Sequence, residues 1–428
     1  MRVNTAIPPM GWNSWDCFGT TVTEAEVLAN AEYMAQHLLP FGWNLVVVDI
    51  QWYEPTARAG GYNENPPVEL DAFGRQLPAV NRFPSAAHGA GFGPLAAQVH
   101  ALGLSFGLHI MRGIPRRAVE LDLPVKGTGW TARDAADTGS TCAWNPDNYG
   151  LDHSHPAAQA YYDSQLELFA SWGVDFIKAD DMLAPFHDDE IAAYAEAIRR
   201  SGRPIALSLS PGTGLDFAHL DRLRAGAAMW RISDDLWDRW EDVRAQFARL
   251  AVWAPHQRPG GWADADMLPL GRIGIRAERG VDRASRLTPD EQRTLLTLWV
   301  MGRSPLMFGG DLPSTEPALL ELLTNPGVLR ILSHSRENAE RLRDKDLVVW
   351  TAEATDDGDA HGGARYVAAF WLGEAEGSTA LDPVALGFDV SWQATDLWSG
   401  AAVDLAEPLS VAARGVRLLR LDPATEPA

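Results

Sequence analysis

The fold is decided by a short apolar run that ends in charged residues, Val174-Asp175-Phe176-Ile177-Lys178-Ala179-Asp180. Successive side chains of a β-strand point to opposite faces, so Ile177 and Ala179 share one face while Lys178 and Asp180 share the other. A largely apolar strand is typical of a parallel sheet that helices cover on both faces. A lysine and an aspartate on the inner face are costly to bury unless they are paired or functional. The run therefore predicts a parallel sheet with either a polar site or a structural ion pair at its rim.

Similar apolar runs alternate with helical patterns up to about residue 325. Further strands are predicted over residues 45–50, 104–110 and 205–210, with weaker candidates at 229–233 and 305–308. Residues 10–12 and the stretch near Trp262 complete the count. Amphipathic helices are predicted from Thr23, which is spaced from Glu26 as in a capping box, and over about residues 156–172, 188–201, 238–254 and 289–302. About eight β/α units predict a (β/α)8 TIM barrel, with an open doubly wound sheet as the alternative.

The pattern changes after about residue 335. Short strands are predicted over residues 347–351, 365–371, 392–398 and 416–421, and turn-rich pieces such as 356–359 separate them. These features favour a small C-terminal antiparallel β-sandwich. We therefore expect a catalytic barrel over residues 1–335 and a β-sandwich domain over residues 336–428. The connection from about 122 to 152 is long for a barrel, and long rim loops are often functional.

Charge and composition exclude several classes of partner. The 428 residues include 57 acidic and 36 basic ones, a net charge of −21, which argues against nucleic acid and anionic membranes and favours a neutral glycoside. No signal peptide or membrane-length apolar run is visible. Two cysteines, Cys17 and Cys142, cannot build a disulfide framework. We expect a cytoplasmic protein without metal or cofactor, and a homo-oligomer is left open.

A second strand end carries polar residues in the same way, Trp230-Arg231-Ile232-Ser233-Asp234-Asp235. Asp180 and Asp235 would then project into one barrel mouth, and paired carboxylates are what glycoside hydrolysis requires. Lys178 would keep Asp180 ionised, whereas a partly desolvated Asp235 would stay protonated near neutrality. We expect Arg231 to point at the substrate and not at Asp235.

Four stretches together resemble glycoside hydrolase family 27, which contains α-galactosidases and α-N-acetylgalactosaminidases. They are residues 8–15, Lys178-Ala179-Asp180, residues 231–235 and residues 260–268. The resemblance covers nearly the whole chain and implies a retaining double displacement without a metal. It implies that Asp180 is the nucleophile and Asp235 the general acid/base. The sugar contacts that it implies come from Trp15, Asp49, Lys178, Arg231 and Asp266, although core packing of Trp15 and a structural bond of Asp266 are alternatives.

The chain departs from the family pattern at the second strand end, Asp49-Ile50-Gln51-Trp52, where the family usually has Asp-Asp-Cys-Trp. Ile50 replaces an acid that would bind a sugar hydroxyl, which favours a sugar without the 6-hydroxyl, as in β-L-arabinopyranosides. The usual disulfide partner of Cys17 is also missing, and Met182 replaces another cysteine. This loss is consistent with a reducing compartment.

Other positions bear on specificity. His109 stands where a tyrosine is common, and it is expected either to contact the sugar or to be a hydrogen-bonded rim histidine. Ser210 stands where α-galactosidases tend to have a glutamate, and a serine leaves room for an N-acetyl group. Trp15, Trp52 and Trp262 offer a reason for the 17 tryptophans, since aromatic rings pack on sugars.

The sequence thus predicts a retaining exo-glycosidase of terminal α-galactoside-type residues, with α-N-acetylgalactosaminidase or β-L-arabinopyranosidase specificity as alternatives. A non-catalytic carbohydrate-binding barrel is the alternative of a different class. A metal-dependent barrel is disfavoured because His153 and His155 are expected to be solvated or to cap a helix. Arg112, Arg116 and Arg117 are expected at a solvated rim, and Trp144 and Tyr149 of the long loop are candidates to complete the pocket.

Overall fold

The structure, a computed structural model, describes residues 3–355, 363–382, 384, 386–388 and 392–424. Its first part is a curled sheet of eight parallel strands, which we label in chain order. They are β1 (Met10–Asn13), β2 (Leu45–Val48), β3 (Ser105–Met111), β4 (Phe176–Asp180), β5 (Ala206–Leu209), β6 (Met229–Arg231), β7 (Trp262–Asp264) and β8 (Leu306–Phe308). The predicted strands are confirmed within two residues at each end.

The sheet closes into a barrel. Its strands follow the order β7-β6-β5-β4-β3-β2-β1-β8. Leu268, just after β7, pairs in parallel with Phe308 of β8, and its amide donates to the carbonyl of Met307 at 2.7 Å. The two edges of the sheet therefore meet, as in a (β/α)8 barrel and unlike an open doubly wound sheet.

Helices follow each barrel strand and cover the outside of the sheet. They are α1 (Glu24–His37), α2 (Gly93–Ala101), α3 (Pro156–Ser171), α4 (Asp188–Ser201), α5 (Leu220–Gly226), α6 (Trp240–Trp253), α7 (Pro289–Gly302), α8 (Pro317–Leu323) and α9 (Pro326–Ser333). The capping box of Thr23 and Glu26 is confirmed, and Thr288 forms a second one with Glu291. Among the residues described, every helix falls short of the length or apolarity of a membrane span.

The long connection between β3 and α3 has secondary structure of its own. Two short helices, Arg116–Glu120 and Ala132–Ala135, accompany a three-stranded antiparallel sheet. The strands of that sheet are Ile114–Pro115, Asn148–Leu151 and Ala136–Thr141. Sequence patterns could not reveal the last strand, because its residues are small, polar and mostly exposed.

The C-terminal part is antiparallel. A six-stranded sheet contains, in spatial order, Ser335–Asp344, Leu347–Ala354, Arg365–Trp371, Val416–Pro423, Trp392–Asp396 and Ala402–Val403. A two-stranded sheet, Gly377–Thr379 with Leu409–Val411, shares an apolar core with it through Leu409, Val367 and Leu419. This is the predicted small β-sandwich, with four strands that the sequence did not predict: the polar Ser335–Asp344 and the short Gly377–Thr379, Ala402–Val403 and Leu409–Val411.

The other face of the six-stranded sheet packs on the barrel. Phe370 meets Phe247 of α6 edge to face, with ring centroids 5.0 Å apart, and Val348 and Trp350 belong to the same core as the barrel residues. The predicted turn at residues 356–359 lies outside the described residues. The division between residues 335 and 336 stays a prediction.

Candidate active site

A cavity of about 700 Å³ opens where the barrel strands end, and polar side chains predicted for the site line it. Asp180 is the last residue of β4, and Asp49 directly follows β2. The carboxyl ends of the strands are the catalytic face of a (β/α)8 barrel. The predicted site residues that line the cavity are Trp15, Asp49, Lys178, Asp180 and Asp235. A larger cleft of about 880 Å³ lies elsewhere and contains none of the predicted site residues.

Asp180 is held through both carboxylate oxygens. Nε2 of the fully buried His109 lies 3.1 Å from Oδ2, and the amide of Asp181 donates to Oδ1 at 3.0 Å. Burial alone would raise the pKa of Asp180, but the hydrogen bond and charge of His109 and the charge of Lys178 outweigh burial and hold that pKa well below its usual range. The carboxyl group is therefore an ionised, oriented group at the cavity wall.

Lys178 pairs with Asp49 and not with its strand neighbour. Its Nζ lies 2.9 Å from Oδ2 of Asp49, which also accepts from Nδ2 of Asn13 at 2.7 Å. Burial raises the pKa of Asp49, but the charges of Lys178 and then His109 lower it by more than burial raises it. The net shift of the pKa is downward. Burial lowers the pKa of Lys178, but the charges of Asp49 and Asp180 raise it above its usual value. Both groups are thus charged and face the cavity.

Asp235 and Arg231 correct two expectations. The Asp235 side chain is 43% exposed, so it is less desolvated than its predicted role as an acid suggests. Arg231 is buried and its Nη2 lies 3.3 Å from Oδ1 of Asp235, whereas we expected it to point at the substrate. The reason is a second acid behind the cavity: Nη1 of Arg231 lies 2.8 Å from Oδ1 of Asp266. The guanidinium group bridges the two carboxylates.

Asp266 supports the segment that carries Asp235. Its Oδ2 accepts from the amide of Leu236 at 2.6 Å, and its φ of 87° lies in the left-handed region. Burial raises the pKa of Asp266 to about 7, with Arg231 acting in the opposite direction and Asp235 adding to the rise. Asp266 contacts the residues around Asp235 from behind and does not itself line the cavity.

Two further buried carboxyl groups were missed by sequence reasoning. Asp264 accepts from the amide of Asp266 at 2.9 Å, and burial raises its pKa. Burial, and then the charge of Asp266, raise the pKa of Asp16 well above its usual value. The signal was present, since Asp264 belongs to the motif that contains Asp266 and Asp16 follows Trp15. Behind Asp235 there are therefore three buried carboxyl groups, Asp16, Asp264 and Asp266, of which the sequence predicted only Asp266.

Two tryptophans predicted to surround a sugar lie outside the cavity. Trp52 is fully buried against Trp172 and against Phe92, which directly precedes α2, and its Nε1 donates to the carbonyl of His109 at 2.8 Å. Trp262 is also fully buried, and its Nε1 donates to the carbonyl of Thr5 at 2.9 Å. The bulk of each indole is used for packing, as is usual for tryptophan. Of the three predicted rings, Trp15 alone lines the cavity.

Ser210 and His109 also lie outside the cavity lining. Ser210 is buried, and its Oγ has no hydrogen-bond partner in the described part of the chain. Pro211, joined to Ser210 by a cis bond, and Thr213 line the cavity in its place. His109 is fully buried and contacts Asp180, so the structure has it as a hydrogen-bonded histidine behind the cavity.

Of the two histidines, His155 caps a helix as expected, whereas His153 is neither solvated nor a cap but lies half-buried beside Glu190. Nδ1 of His155 accepts from the amide of Ala157 and so caps α3, whereas His153 lies 3.2 Å from Glu190. Arg117 is exposed beside Glu120.

Arg112 corrects the expected solvated rim. Its side chain is buried, and Nη2 donates to Oδ2 of Asp181 at 2.8 Å. It is buried because it fills the space between β3, β4 and Glu190 of α4, where its charge is matched by two carboxylates.

Within the residue ranges given above, no group of three or more His, Cys, Asp or Glu side chains is arranged to hold a metal ion. Cys17 and Cys142 are both buried and free.

A (β/α)8 barrel that brings Asp180, Asp235 and the Asp49–Lys178 pair to one cavity offers the paired carboxylates that glycoside hydrolysis requires. Comparisons with known proteins agree. Residues 148–333 match the family described as alpha galactosidase A. The chain is 48% identical to a solved family 27 β-L-arabinopyranosidase variant from Geobacillus stearothermophilus in complex with arabinose, with a TM-score of 0.94 and 98% of each chain covered.

Two other relatives extend this picture. A structure from Bacillus halodurans C-125, provisionally named an α-N-acetylgalactosaminidase, is 43% identical, with a TM-score of 0.88 over 99% of this chain and 100% of the other. An α-galactosidase from Cyamopsis tetragonoloba is 25% identical over 82% of this chain and 70% of its own length. The chain belongs to glycoside hydrolase family 27 and is a glycoside hydrolase.

Proposed function

We propose that the enzyme is a retaining exo-glycosidase that removes terminal β-L-arabinopyranosyl residues. This sugar has the ring configuration of α-D-galactose but carries no hydroxymethyl group at C5. The observation that carries the proposal is Ile50, which lines the cavity beside Asp49 and is almost wholly buried. A hydroxyl group that meets isoleucine methyl groups loses its hydrogen bonds to water without replacement, at a cost of about 1–3 kcal/mol. A sugar without that hydroxyl escapes this cost.

Asp180 is proposed as the nucleophile and Asp235 as the general acid/base. Asp180 would attack the anomeric carbon and form a glycosyl-enzyme, while Asp235 would protonate the leaving oxygen and then deprotonate the attacking water. The ionised state of Asp180, held by His109, supports the first role. The position of Asp235 in the same cavity supports the second. The oriented Asp180 also argues against a non-catalytic sugar-binding barrel.

The charged pair of Asp49 and Lys178 is proposed to bind the ring hydroxyls. A carboxylate accepts hydrogen bonds and an ammonium group donates them, so together they suit neighbouring hydroxyls such as an axial 4-OH. Trp15 would pack against the apolar face of the ring. Arg231 and Asp266 are proposed to act near the 2-position through their bridge to Asp235. Trp52 and Ser210 have no contact in this scheme, since neither lines the cavity.

An α-D-galactoside is the second candidate, because its ring hydroxyls match those of the first. The related structure provisionally named an α-N-acetylgalactosaminidase supports a third. We also propose a cytoplasmic location and neutral glycoside substrates, on the basis of two free thiols and a net charge of −21.

The test is a kinetic comparison of three 4-nitrophenyl glycosides: β-L-arabinopyranoside, α-D-galactopyranoside and N-acetyl-α-D-galactosaminide. We expect kcat/KM to be highest for the arabinopyranoside, by roughly tenfold or more over the galactoside. NMR of the first-formed sugar should show retained anomeric configuration. A preference for either other sugar would contradict the specificity, inverted product would contradict the mechanism, and no turnover of any member would contradict the exo-glycosidase function.

A further inference from the structure

Three aromatic rings form a row along the cavity. The rings of Trp15 and Tyr62 are stacked, with centroids 6.2 Å apart and an interplanar angle of 20°. The rings of Tyr62 and Trp144 are 5.9 Å apart and tilted by 41°. All three residues line the cavity. Exposure rises along the row, from 7% at Trp15 to 41% at Trp144, so the row leads from the protein interior to solvent.

Trp144 sits on a turn that buried side chains hold in place. Oδ2 of Asp147 accepts from Nε2 of Gln51 at 2.5 Å and from the hydroxyl of Tyr53 at 2.8 Å. Oδ1 of Asn145 accepts from the amide of Asp147 at 3.1 Å. The side chains of Asn145 and Asp147 are both buried. The exposed indole is therefore attached to a fixed piece of backbone and not to a free loop tip.

An isolated exposed apolar side chain needs no explanation. Trp144 differs, because it is large and continues the row of rings that starts at Trp15. Its turn is also anchored by Gln51 and Tyr53, which follow Ile50 in the chain. An aromatic side chain loses little conformational entropy on binding and offers an apolar face with a specific stacking geometry. These are the properties of a binding surface for another ring.

The position of Trp144 says which part of a substrate it meets. In an exo-glycosidase the terminal sugar occupies the enclosed part of the site, near Asp180 and Asp49, and the leaving group extends towards solvent. The exposed end of the row therefore faces the leaving group. Trp15, at the enclosed end, remains available to the terminal sugar.

We propose that Trp144, together with Tyr62, forms a platform for the leaving group, and that the enzyme takes glycosides whose aglycone presents a ring with an apolar face. This inference rests on the proposed exo-glycosidase function. Such a ring is either aromatic or the apolar face of a second sugar. A flexible alkyl aglycone lacks this face and gains nothing from the platform.

The test measures dissociation constants by calorimetry, with thioglycosides of β-L-arabinopyranose that the enzyme does not cleave. The probes are the phenyl thioglycoside, a thio-linked disaccharide and the methyl thioglycoside. We expect the wild-type protein to bind at least one of the ring-bearing probes about tenfold more tightly than the methyl probe. Trp144→Ala should abolish this ratio, and Trp144→Phe, which keeps a ring, should retain most of it. Phe41→Ala removes an aromatic ring of similar exposure outside the cavity and should leave the ratio unchanged.

The binding ratios also identify the kind of ring that the platform binds. If Trp144→Ala loses the preference over the methyl probe only for the phenyl probe, the platform binds an aromatic aglycone. If it loses the preference only for the disaccharide, the platform binds a second sugar. Both results support the platform. A ratio that survives Trp144→Ala, that falls equally in Phe41→Ala, or that is absent from the wild-type protein overturns it. Because these measurements need no turnover, their failure is distinct from failure of the proposed function, which the nitrophenyl glycosides test.

Discussion

Nε2 of His109, a residue that does not line the cavity, lies 3.1 Å from Oδ2 of Asp180, which does. His109 belongs to β3 and Asp180 ends β4, and in the parallel pairing of these strands His109 lies opposite Lys178 and Met111 lies opposite Asp180. One strand thus supplies the proposed nucleophile and its neighbour supplies the group that keeps it ionised. The contact explains why a fully buried histidine is useful in a sugar-binding site.

Replacing His109 with phenylalanine should move the acid limb of the kcat/KM profile to higher pH. Burial raises the pKa of Asp180, and the hydrogen bond of His109 is the first of the contacts that lower it. Without that contact the pKa rises, so the carboxylate is protonated, and activity is lost, at a higher pH than in the wild-type enzyme. His100→Phe removes a histidine–aspartate contact to Asp175, before the start of β4, and should leave the profile unchanged. An unmoved acid limb in His109→Phe would remove His109 from this role.

Asp180→Asn should lower turnover of the 4-nitrophenyl glycoside by roughly a thousandfold or more, because an amide does not form the glycosyl-enzyme. The fold should survive, since the amide oxygen still accepts from Asp181 and the side-chain volume is nearly unchanged. Near-UV circular dichroism and the melting temperature check the fold. Substantial residual activity in a pure, folded sample would exclude Asp180 as the nucleophile.

Asp235→Ala should distinguish substrates by their leaving groups. A disaccharide needs a proton on its leaving oxygen, so its kcat should fall by roughly 10²–10⁴-fold, whereas nitrophenolate departs with little help. The neighbouring Asp234 also lines the cavity, and Asp234→Ala provides the matched control with little effect on either substrate. Equal losses on both substrates in Asp235→Ala would argue against its role as the acid.

Ile50→Asp should shift specificity towards the galactoside. A carboxylate at this position offers the 6-hydroxyl the acceptor that isoleucine lacks, and the ratio of kcat/KM for galactoside over arabinopyranoside should rise about tenfold. Ile50→Val keeps an apolar wall and should leave the ratio close to its wild-type value. A ratio that responds to neither variant would show that specificity is set elsewhere in the cavity.

Arg112→Ala should reduce both stability and kcat. Nε of Arg112 donates to the carbonyl of Asp181 at 3.2 Å, and its amide donates to the carbonyl of Asp180 at 3.1 Å. Asp181, with a φ of 61°, is thereby held in the left-handed conformation that aims its amide at Asp180.

Loss of the guanidinium group of Arg112 leaves the buried Asp181 carboxylate without its ion-pair partner and Glu190 with His153 alone. We expect the free energy of unfolding in urea to fall by about 3 kcal/mol, and kcat to fall by about tenfold with a smaller change in KM. Arg117→Ala removes an exposed ion pair with Glu120 and should change neither quantity measurably. A kcat that falls no further than in Arg117→Ala would make Arg112 a purely structural residue.

Sequence reasoning worked best where a pattern is local. The strand at residues 174–180 and the helix over residues 289–302 follow from side-chain periodicity and capping, which depend on neighbours in the chain. It failed where a side chain chooses between distant partners. Arg112 was expected in solvent, and Trp52 was expected beside a sugar, yet both are buried by elements far from them in sequence. Burial of a long or large side chain depends on what packs over it, and no local pattern reports that.

By itself, the sequence determined which strand ends carry acids and which inner-face positions they occupy, because alternation along a strand is a property of consecutive residues. It also determined that Ile50 stands beside Asp49. Only the tertiary structure decided that Lys178 pairs with Asp49, 129 residues away, and that Arg231 joins Asp235 to Asp266. These contacts exist because eight strands close into one barrel, and closure sets which side chains from different strands come within bonding distance.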